Sequence, residues 1–276
     1  MMPWYENRKG EQLWYEDEGA GCPVVLVHGW CMSSAVWKYQ FDDLAASVRL
    51  LAPDLRGHGR SRGISGHLDF ESFTNDLVDL FDRLNLEKVV LVGWSMGGQV
   101  ALLSYPELSG RLAGMVLVSA TPRFTASDDF PHALAGNEAL GMRLKVQRNT
   151  QRALDGFYSR LFAEGELENH SSSSEIKQLL STITPPDTAA VLDALDALAR
   201  TDMRPMLAGI TIPTLILNGA QDRICLPQAS SYLKEKIPEA EQAVFPDCGH
   251  APFLTQSDQF NTELIRFARS VCEQNA

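Results

Sequence analysis

A serine flanked by glycines is the first candidate for chemistry in this chain. Gly93, Ser95 and Gly97 form a Gly-x-Ser-x-Gly pattern. The apolar run before it, 89–92, is typical of a buried strand, and the residues from Gly97 onward favour a helix. A serine at such a sharp strand-to-helix turn has a strained backbone and an exposed hydroxyl. The pattern therefore predicts that Ser95 is a nucleophile, with the N-terminus of the helix directed at the charge that develops there.

A serine hydroxyl needs a neighbouring base at neutral pH, and a histidine base needs a carboxylate that fixes its tautomer. His250 and Asp222 each lie in a loop directly after a strand-like run, so we predict that they are this base and this acid. Rival candidates are His28 as the base and Asp247 as the acid. We interpret His28 as a residue bonded within its own loop, and Asp54 as a carboxylate that anchors a turn through backbone N–H groups.

The predicted strands and helices alternate along the chain. Short apolar runs predict strands at 24–27, 48–52, 89–92, 112–118, 214–217 and 242–245. Amphipathic spacing predicts helices at 33–48, 72–84, 229–236 and 258–272, in addition to the helix after Gly97. We therefore expect an α/β fold with a mostly parallel central sheet, helices on both faces and antiparallel edge strands within 4–18. The loops at the carboxyl ends of such strands are where these sheets bind ligands.

One segment departs from this alternation. Residues 123–202 lack any strand-like run and show helical periodicity, with Pro185-Pro186 and a serine run between the helical pieces. We predict that 123–202 is an inserted helical cap, or lid, and that 1–122 and 203–276 together form the core.

Composition excludes several function classes. The chain has 276 residues, 45% hydrophobic and 21% charged, with a net charge of −11, which argues against nucleic-acid binding. No apolar run is long enough to span a bilayer, and the N-terminus lacks the apolar core of a secretion signal. The five cysteines are scattered without CxxC spacing, which favours free thiols over disulfides or a zinc site. We expect a cytoplasmic protein that binds no membrane and no metal.

On the basis of these residues, we find that the chain resembles the α/β-hydrolases along nearly its whole length, except in the cap. The order Ser95, Asp222, His250 is the order of the triad in that superfamily. Within it, the chain resembles the pimeloyl-[acyl-carrier protein] methyl ester esterases of biotin synthesis. The segments that carry this resemblance are Val27-His28-Gly29-Trp30, Asp54-Leu55-Arg56-Gly57-His58-Gly59-Arg60-Ser61, Gly93-Trp94-Ser95-Met96-Gly97-Gly98, Asp222 and Gly249-His250-Ala251-Pro252-Phe253.

The resemblance implies a mechanism and further site residues. It implies ester hydrolysis through an acyl-enzyme, without metal or organic cofactor, on a pimeloyl-type methyl ester linked to an acyl carrier protein. The oxyanion donors would be the backbone N–H groups of Trp30 and Met96. Trp30 and a cap segment with Phe157, Tyr158 and Leu161 would contact the acyl chain.

The cap carries a cluster of basic residues between Gly141 and Leu161. If that stretch is helical, four of them fall within a sector of about 120°: Lys145, Arg148, Arg152 and Arg160. On an acidic protein, such a stripe predicts a docking site for an acidic partner such as an acyl carrier protein. A solvated helix face is the alternative. Residues 164–175 are acidic and rich in serine, where the family pattern has further arginines.

Four alternatives remain open at this point. A general small-molecule carboxylesterase or lactonase, a carbon–carbon bond hydrolase and a perhydrolase would share the same triad. A binding protein without activity, built on the same fold, is the alternative from another class.

Overall fold

One sheet of eight strands organises the computed structural model, which describes residues 3–64 and 67–273. The strands are Trp4–Glu6 (β1), Gln12–Glu18 (β2), Pro23–Val27 (β3), Arg49–Pro53 (β4), Val89–Trp94 (β5), Leu112–Val118 (β6), Thr214–Gly219 (β7) and Ala240–Phe245 (β8). Their order across the sheet is β1-β2-β4-β3-β5-β6-β7-β8. The pairs β1–β2 and β2–β4 are antiparallel and all others are parallel, which confirms the predicted sheet and its antiparallel edge.

The middle of the sheet is buried on both faces. Every residue of β5 and β6 is buried, as expected for strands that are apolar throughout and covered by helices. The helices are Lys38–Leu44 (α1), Phe70–Leu84 (α2), Met96–Leu108 (α3), Gly136–Arg148 (α4), Thr150–Ser159 (α5), Ser173–Thr182 (α6), Thr188–Arg200 (α7), Pro227–Lys236 (α8), Pro252–Thr255 (α9) and Ser257–Glu273 (α10).

Parallel pairing brings the functional loops to one edge of the sheet. The last residues of neighbouring strands stand in register: Val27 pairs with Gly93, Trp94 with Val118, and Gly219 with Phe245. The loops after β3, β5, β7 and β8 therefore leave the sheet on the same side. These loops carry the predicted triad and the two predicted oxyanion donors.

Helices α4 to α7 lie between β6 and β7, in the segment predicted as an insertion, 123–202. We call this segment the cap. Its two ends meet, because the guanidinium of Arg123 lies 3.2 Å from the carboxylate of Asp202. Within the cap, α4 packs against α5 and α7. In the proposed core, residues 1–2, 65–66 and 274–276 lie outside the described residues.

The first predicted helix, 33–48, is shorter in the structure. A 3-10 turn, Ser34–Trp37, leads into α1, which ends at Leu44. The chain then turns, with the N–H groups of Ser47 and Val48 both donating to the carbonyl of Leu44. This turn is needed because the chain must reverse within four residues to enter β4.

The prediction that all five cysteines are free is wrong for one pair. Cys22 and Cys272 form a disulfide, with 6.3 Å between their Cα atoms and a separation of 250 positions in the chain. Cys22 directly precedes β3 and Cys272 lies near the end of α10, so the folded sheet and its last helix bring them together. In the described part of the chain, no helix has the length and apolarity to cross a membrane.

Candidate active site

Ser95 lies at the junction of β5 and α3 with a strained backbone. Its φ is 54° and its ψ is −117°, a region that residues with a side chain rarely adopt. The surrounding structure holds this conformation, because the Ser95 N–H donates to the carbonyl of Val118 on the neighbouring strand. The side chain is half-buried and lines a pocket, so its hydroxyl is presented to that pocket as the sequence predicts.

The two glycines around Ser95 are required by close backbone contacts. A Cβ on Gly93 would overlap the backbone of Gly97, and a Cβ on Gly97 would overlap the carbonyl of Val27 on β3. Gly93 must therefore be small because of Gly97, whereas Gly97 must be small because of the adjacent strand β3. Gly-x-Ser-x-Gly spacing reflects both contacts.

His250 and Asp222 form a buried pair beside this turn. Nδ1 of His250 lies 2.7 Å from Oδ2 of Asp222, and both side chains are fully buried. The other carboxylate oxygen, Oδ1, accepts the N–H groups of Ile224 and Cys225 at 2.8 and 3.0 Å. The carboxylate is thus fixed on both oxygens, and it can hold the imidazole in one tautomer.

The remaining nitrogen of His250 is available for proton transfer. Its Nε2 is buried and has no hydrogen-bond partner among the described residues. The Trp94 ring lies 5.5 Å from the imidazole, and its Nε1–H donates to the His250 carbonyl at 2.9 Å. Because Trp94 directly precedes Ser95, this contact ties the histidine loop to the turn that carries the serine.

Sequence reasoning missed Cys225. Its buried thiol is within hydrogen-bonding reach of the Ser95 hydroxyl, three residues after Asp222 in the same loop. Burial, together with the nearby Asp222 carboxylate, raises the pKa of this thiol well above its usual value. Cys225 therefore stays protonated and acts as a neutral neighbour of the serine. Its position in the Asp222 loop was the only signal in the sequence.

The rival candidates are engaged elsewhere. Both ring nitrogens of His28 are used, since Nε2 accepts the Leu55 N–H and Nδ1 bonds to the Gly29 carbonyl. Burial lowers the pKa of His28 to about 4. Asp54 accepts the backbone N–H groups of Ser34 and Arg60, which confirms the predicted turn anchor. Asp247 is exposed, whereas the Asp222 carboxylate is the one bound to His250.

The predicted oxyanion donors belong to the residue directly after Ser95 and to a loop that contacts Ser95. Met96 is the first residue of α3, so its N–H is among those that have no partner inside the helix. Trp30 follows Gly29, which packs directly on the turn: a Cβ at Gly29 would lie 3.2 Å from the Cβ of Ser95. The loop that carries the Trp30 N–H is thus in contact with the serine.

An apolar pocket opens over Ser95, between the core and the cap. The Trp30 and Phe157 rings meet edge to face in its wall, with 4.9 Å between their centroids. The polar groups on its lining, apart from Ser95, are Glu138 and Arg160, whose side chains lie 3.5 Å apart. Further apolar lining comes from Phe124, Leu134, Met142, Leu195, Leu198 and Ile224. Such a wall suits an aliphatic chain.

Tyr158 and Leu161 do not line this pocket, contrary to expectation. Tyr158 follows Phe157 on α5 and so points about 100° away, where its hydroxyl donates to the carbonyl of Cys31. Leu161 lies beyond the end of α5 and is fully buried, and its carbonyl accepts the His250 N–H at 2.7 Å. Of the three predicted cap contacts, only Phe157 reaches the pocket.

The predicted single basic helix is also wrong. The helix is interrupted at Asn149, whose backbone is extended and whose side chain caps α5 by accepting the Arg152 N–H. Lys145 and Arg148 therefore lie at the end of α4 and Arg152 at the start of α5. All three are exposed, and the structure shows no acidic partner for them within the described residues. Arg160 is separate, because it faces Glu138 and donates to the Arg223 carbonyl.

Metal binding finds no support in the described residues, where no three His, Cys, Asp or Glu side chains are grouped so as to hold an ion.

A family model described as alpha/beta hydrolase fold matches residues 23–257. A pimeloyl-[acyl-carrier protein] methyl ester esterase of Nitrosospira multiformis is 30% identical over 259 residues, which is 93% of this chain and 98% of that protein. The protein of the same name from Pectobacterium carotovorum is 31% identical over 265 residues, covering 94% and 99%.

Two solved structures share the fold over almost the whole chain. An esterase from Exiguobacterium antarcticum superposes with a TM-score of 0.89 at 26% identity, covering 98% of this chain and 100% of that one. A bromoperoxidase from Bacillus anthracis superposes with a TM-score of 0.88 at 30% identity, covering 94% and 95%.

Proposed function

The chain belongs to the α/β-hydrolase-fold family, and on that premise we propose that it is a serine carboxylesterase with Ser95, His250 and Asp222 as its catalytic triad. The observation that carries this proposal is the buried His250–Asp222 pair, which lies beside a serine held in a strained strand-to-helix turn. A base with one nitrogen fixed and the other unpartnered, next to an accessible hydroxyl, is the arrangement that activates a serine.

The proposed reaction proceeds in two steps through an acyl-enzyme. Nε2 of His250 takes the Ser95 proton as Oγ attacks the ester carbonyl, and the same proton then goes to the departing alcohol. Water, deprotonated by His250, next attacks the acyl-enzyme and releases the carboxylic acid and Ser95. Every step uses groups of the chain itself and water.

The oxyanion of each tetrahedral intermediate would be held by the N–H groups of Trp30 and Met96. Each such donor is typically worth about 3 kcal/mol of barrier. Support comes from the contact of the Gly29-Trp30 loop with Ser95 and from the place of Met96 at the start of α3. The two donors would approach the ester oxygen from the β3 loop and the α3 helix.

For the substrate, we propose the methyl ester of a pimeloyl-type chain carried by an acyl carrier protein in biotin synthesis. Two relatives that match 93% and 94% of this chain carry that name. The apolar side chains of the pocket lining, Trp30 and Phe157 among them, match the aliphatic part of such a substrate in chemical character. The carrier itself is an acidic protein and needs a basic surface outside the pocket.

The cap offers that surface on the outer side of α4 and α5. Lys145, Arg148 and Arg152 are exposed cations, and two leucines on α4 are unusually exposed for apolar residues, Leu140 at 56% and Leu144 at 55%. Apolar side chains ringed by cations complement an acidic helix that has an apolar face. Arg160 is not part of this surface, because it pairs with Glu138 at the pocket.

Kinetics on two substrates test the docking surface. Reversing charge in Arg148→Glu and Arg152→Glu should raise KM about tenfold or more for the carrier-bound methyl ester and leave p-nitrophenyl butyrate unchanged. Arg269→Glu, an exposed arginine on α10, is the matched control and should alter neither value. Equal losses on both substrates would assign these arginines to the fold or the pocket instead.

Growth without biotin tests the pathway. A strain that lacks its own pimeloyl ester esterase should grow when it receives the intact gene and fail to grow with Ser95→Ala. If purified protein cleaves short p-nitrophenyl esters but the intact gene does not rescue growth, the enzyme is a general small-molecule carboxylesterase.

A further inference from the structure

A cap segment, 161–166, lies directly against the loop that carries His250. The contact is made by backbone on both sides: the His250 N–H donates to the Leu161 carbonyl at 2.7 Å. A Cβ on Gly249 would lie only 2.7 Å from the nitrogen of Ala163 and 2.8 Å from the carbonyl carbon of Phe162. The backbone of the histidine loop is therefore in direct contact with the backbone of the cap.

The carboxylate of Glu166 joins the two segments. Its Oε2 accepts the Gly249 N–H at 2.8 Å and the Ala163 N–H at 2.6 Å. Its Oε1 accepts the Thr255 hydroxyl at 2.5 Å. Gly249 and Thr255 lie before and after His250 in the same loop. One carboxylate therefore binds this loop on both sides of the histidine, and it also binds the cap at Ala163. Both oxygens of Glu166 are used by neutral donors, although the residue lies 84 positions before His250 in the chain.

Other contacts hold the loop at His250 itself and at Cys248, whose carbonyl accepts the Gln221 N–H. Gly249, directly before His250, has wide conformational freedom in the unfolded chain. Fixing it in the folded loop therefore has an entropic cost. The imidazole is held by Asp222 at Nδ1, and the backbone by Trp94 at the carbonyl and Leu161 at the N–H. Glu166 adds the contact at the residue immediately before the histidine.

We propose that Glu166 is a positioning residue, through which the cap sets the place of His250 relative to Ser95. This inference rests on the proposed role of His250 as the base. It assigns a function to the acidic stretch after α5, which differs from the arginines of the family pattern. A misplacement of a catalytic group by about 1 Å can cost about 100-fold in rate, so the loss of this anchor acts on kcat.

Three variants separate positioning from bulk stability. Glu166→Ala removes all three acceptor contacts, and its kcat for p-nitrophenyl butyrate should fall about 10- to 100-fold with KM nearly unchanged. Glu166→Gln should restore kcat, because the amide oxygen accepts both N–H groups and the amide nitrogen donates to Thr255. Glu164→Ala is the control, since that side chain is 90% exposed and two residues away, and it should behave as the wild type.

Proton NMR reads the position of the histidine directly. The Nδ1 proton shared with Asp222 should give a far-downfield signal in the wild type and in Glu166→Gln, and this signal should broaden or shift in Glu166→Ala. Thr255→Val loses the hydroxyl contacts to Oε1 of Glu166 and to the Cys248 thiol but keeps both backbone N–H contacts of Glu166. It should show a smaller loss of kcat than Glu166→Ala, and it replaces that variant if the alanine variant does not fold.

The inference is overturned if Glu166→Ala keeps kcat and the downfield signal of the wild type, or if Glu166→Gln loses as much kcat as Glu166→Ala. Failure of the proposed function looks different: His250→Ala would then retain esterase activity.

Discussion

Nδ1 of His250 and Oδ2 of Asp222 lie 2.7 Å apart, with both side chains sealed from solvent. The pair is formed by two loops, 28 residues apart in the chain, which leave neighbouring parallel strands β7 and β8. Their burial matters chemically, because a charged hydrogen bond is strongest where water does not compete for it. The account of catalysis depends on this contact.

Asp222→Asn should leave the fold intact and lower kcat about 10⁴-fold, because an amide in this place favours the wrong imidazole tautomer. The measurement is kcat on p-nitrophenyl butyrate, with circular dichroism as the check on folding. Asp247→Asn, an exposed carboxylate in the next loop, is the matched control and should keep full activity. Activity above about a tenth of the wild type in Asp222→Asn would remove Asp222 from the mechanism.

Substitution of Gly93, in the turn that carries Ser95, should lower the stability of the fold. A Cβ in Gly93→Ala would overlap the backbone of Gly97 and Gly98, where neither strand nor helix can retreat. We expect a loss of about 1–3 kcal/mol or more in the free energy of unfolding. Gly110→Ala is the control, since no atom lies within 4 Å of its added Cβ. Similar urea midpoints for the two variants would contradict the crowding described here.

Acid should destabilise the protein through two buried histidines. Burial lowers the pKa of His28 to about 4, and burial together with the neighbouring His28 lowers that of His58 to about 3, from 6.5 in an unfolded chain. The unfolded state therefore binds protons first as the pH falls. Stability is complete above about pH 6.5 and declines below it, by about 2 kcal/mol per histidine at pH 5.

Urea unfolding at pH 7.5 and pH 5 measures this effect. In His58→Asn the amide nitrogen can replace Nδ1 at the Arg56 carbonyl, and the variant should lose about 2 kcal/mol less than the wild type between the two pH values. His67→Asn, an exposed site, should lose as much as the wild type. An equal loss in all three proteins would show that His58 is not a source of the acid sensitivity.

Reduction should destabilise the oxidised protein. The Cys22–Cys272 disulfide closes nearly the whole chain into a loop, and opening it should lower the free energy of unfolding by about 2–4 kcal/mol. Thermal unfolding with and without dithiothreitol measures the change, and Cys22→Ser should not respond to the reductant. Five reactive thiols in the denatured, unreduced protein would disprove the pairing.

The residues of the proposed triad could be predicted from sequence because their signals are local. Ser95, Asp222 and His250 each follow a short apolar strand, and parallel strands bring such loops to one edge of a sheet. The tight glycines around Ser95 mark the turn without any long-range information. Even the break at Asn149 has a local signal, since asparagine is a preferred N-cap, although the run of basic residues obscured it.

Long-range contacts could not be predicted in this way. Glu166 meets Gly249 across 83 residues and Cys22 meets Cys272 across 250, and only the packing of the cap and of α10 on the core brings them together. The prediction that Tyr158 and Leu161 contact the substrate was wrong for a more local reason. Tyr158 and Leu161 lie one and four residues from Phe157, and which of them faces Ser95 depends on where α5 ends and how it sits on the core.

Covalent labelling tests the central claim most directly. Folded wild-type protein treated with a fluorophosphonate probe should gain one adduct by intact mass, located at Ser95 by peptide mapping. Ser95→Ala should gain none, and His250→Ala should react at least about 1,000-fold more slowly. An unlabelled Ser95 in folded wild-type protein, or ester hydrolysis that survives in Ser95→Ala, would contradict the assignment of a serine carboxylesterase.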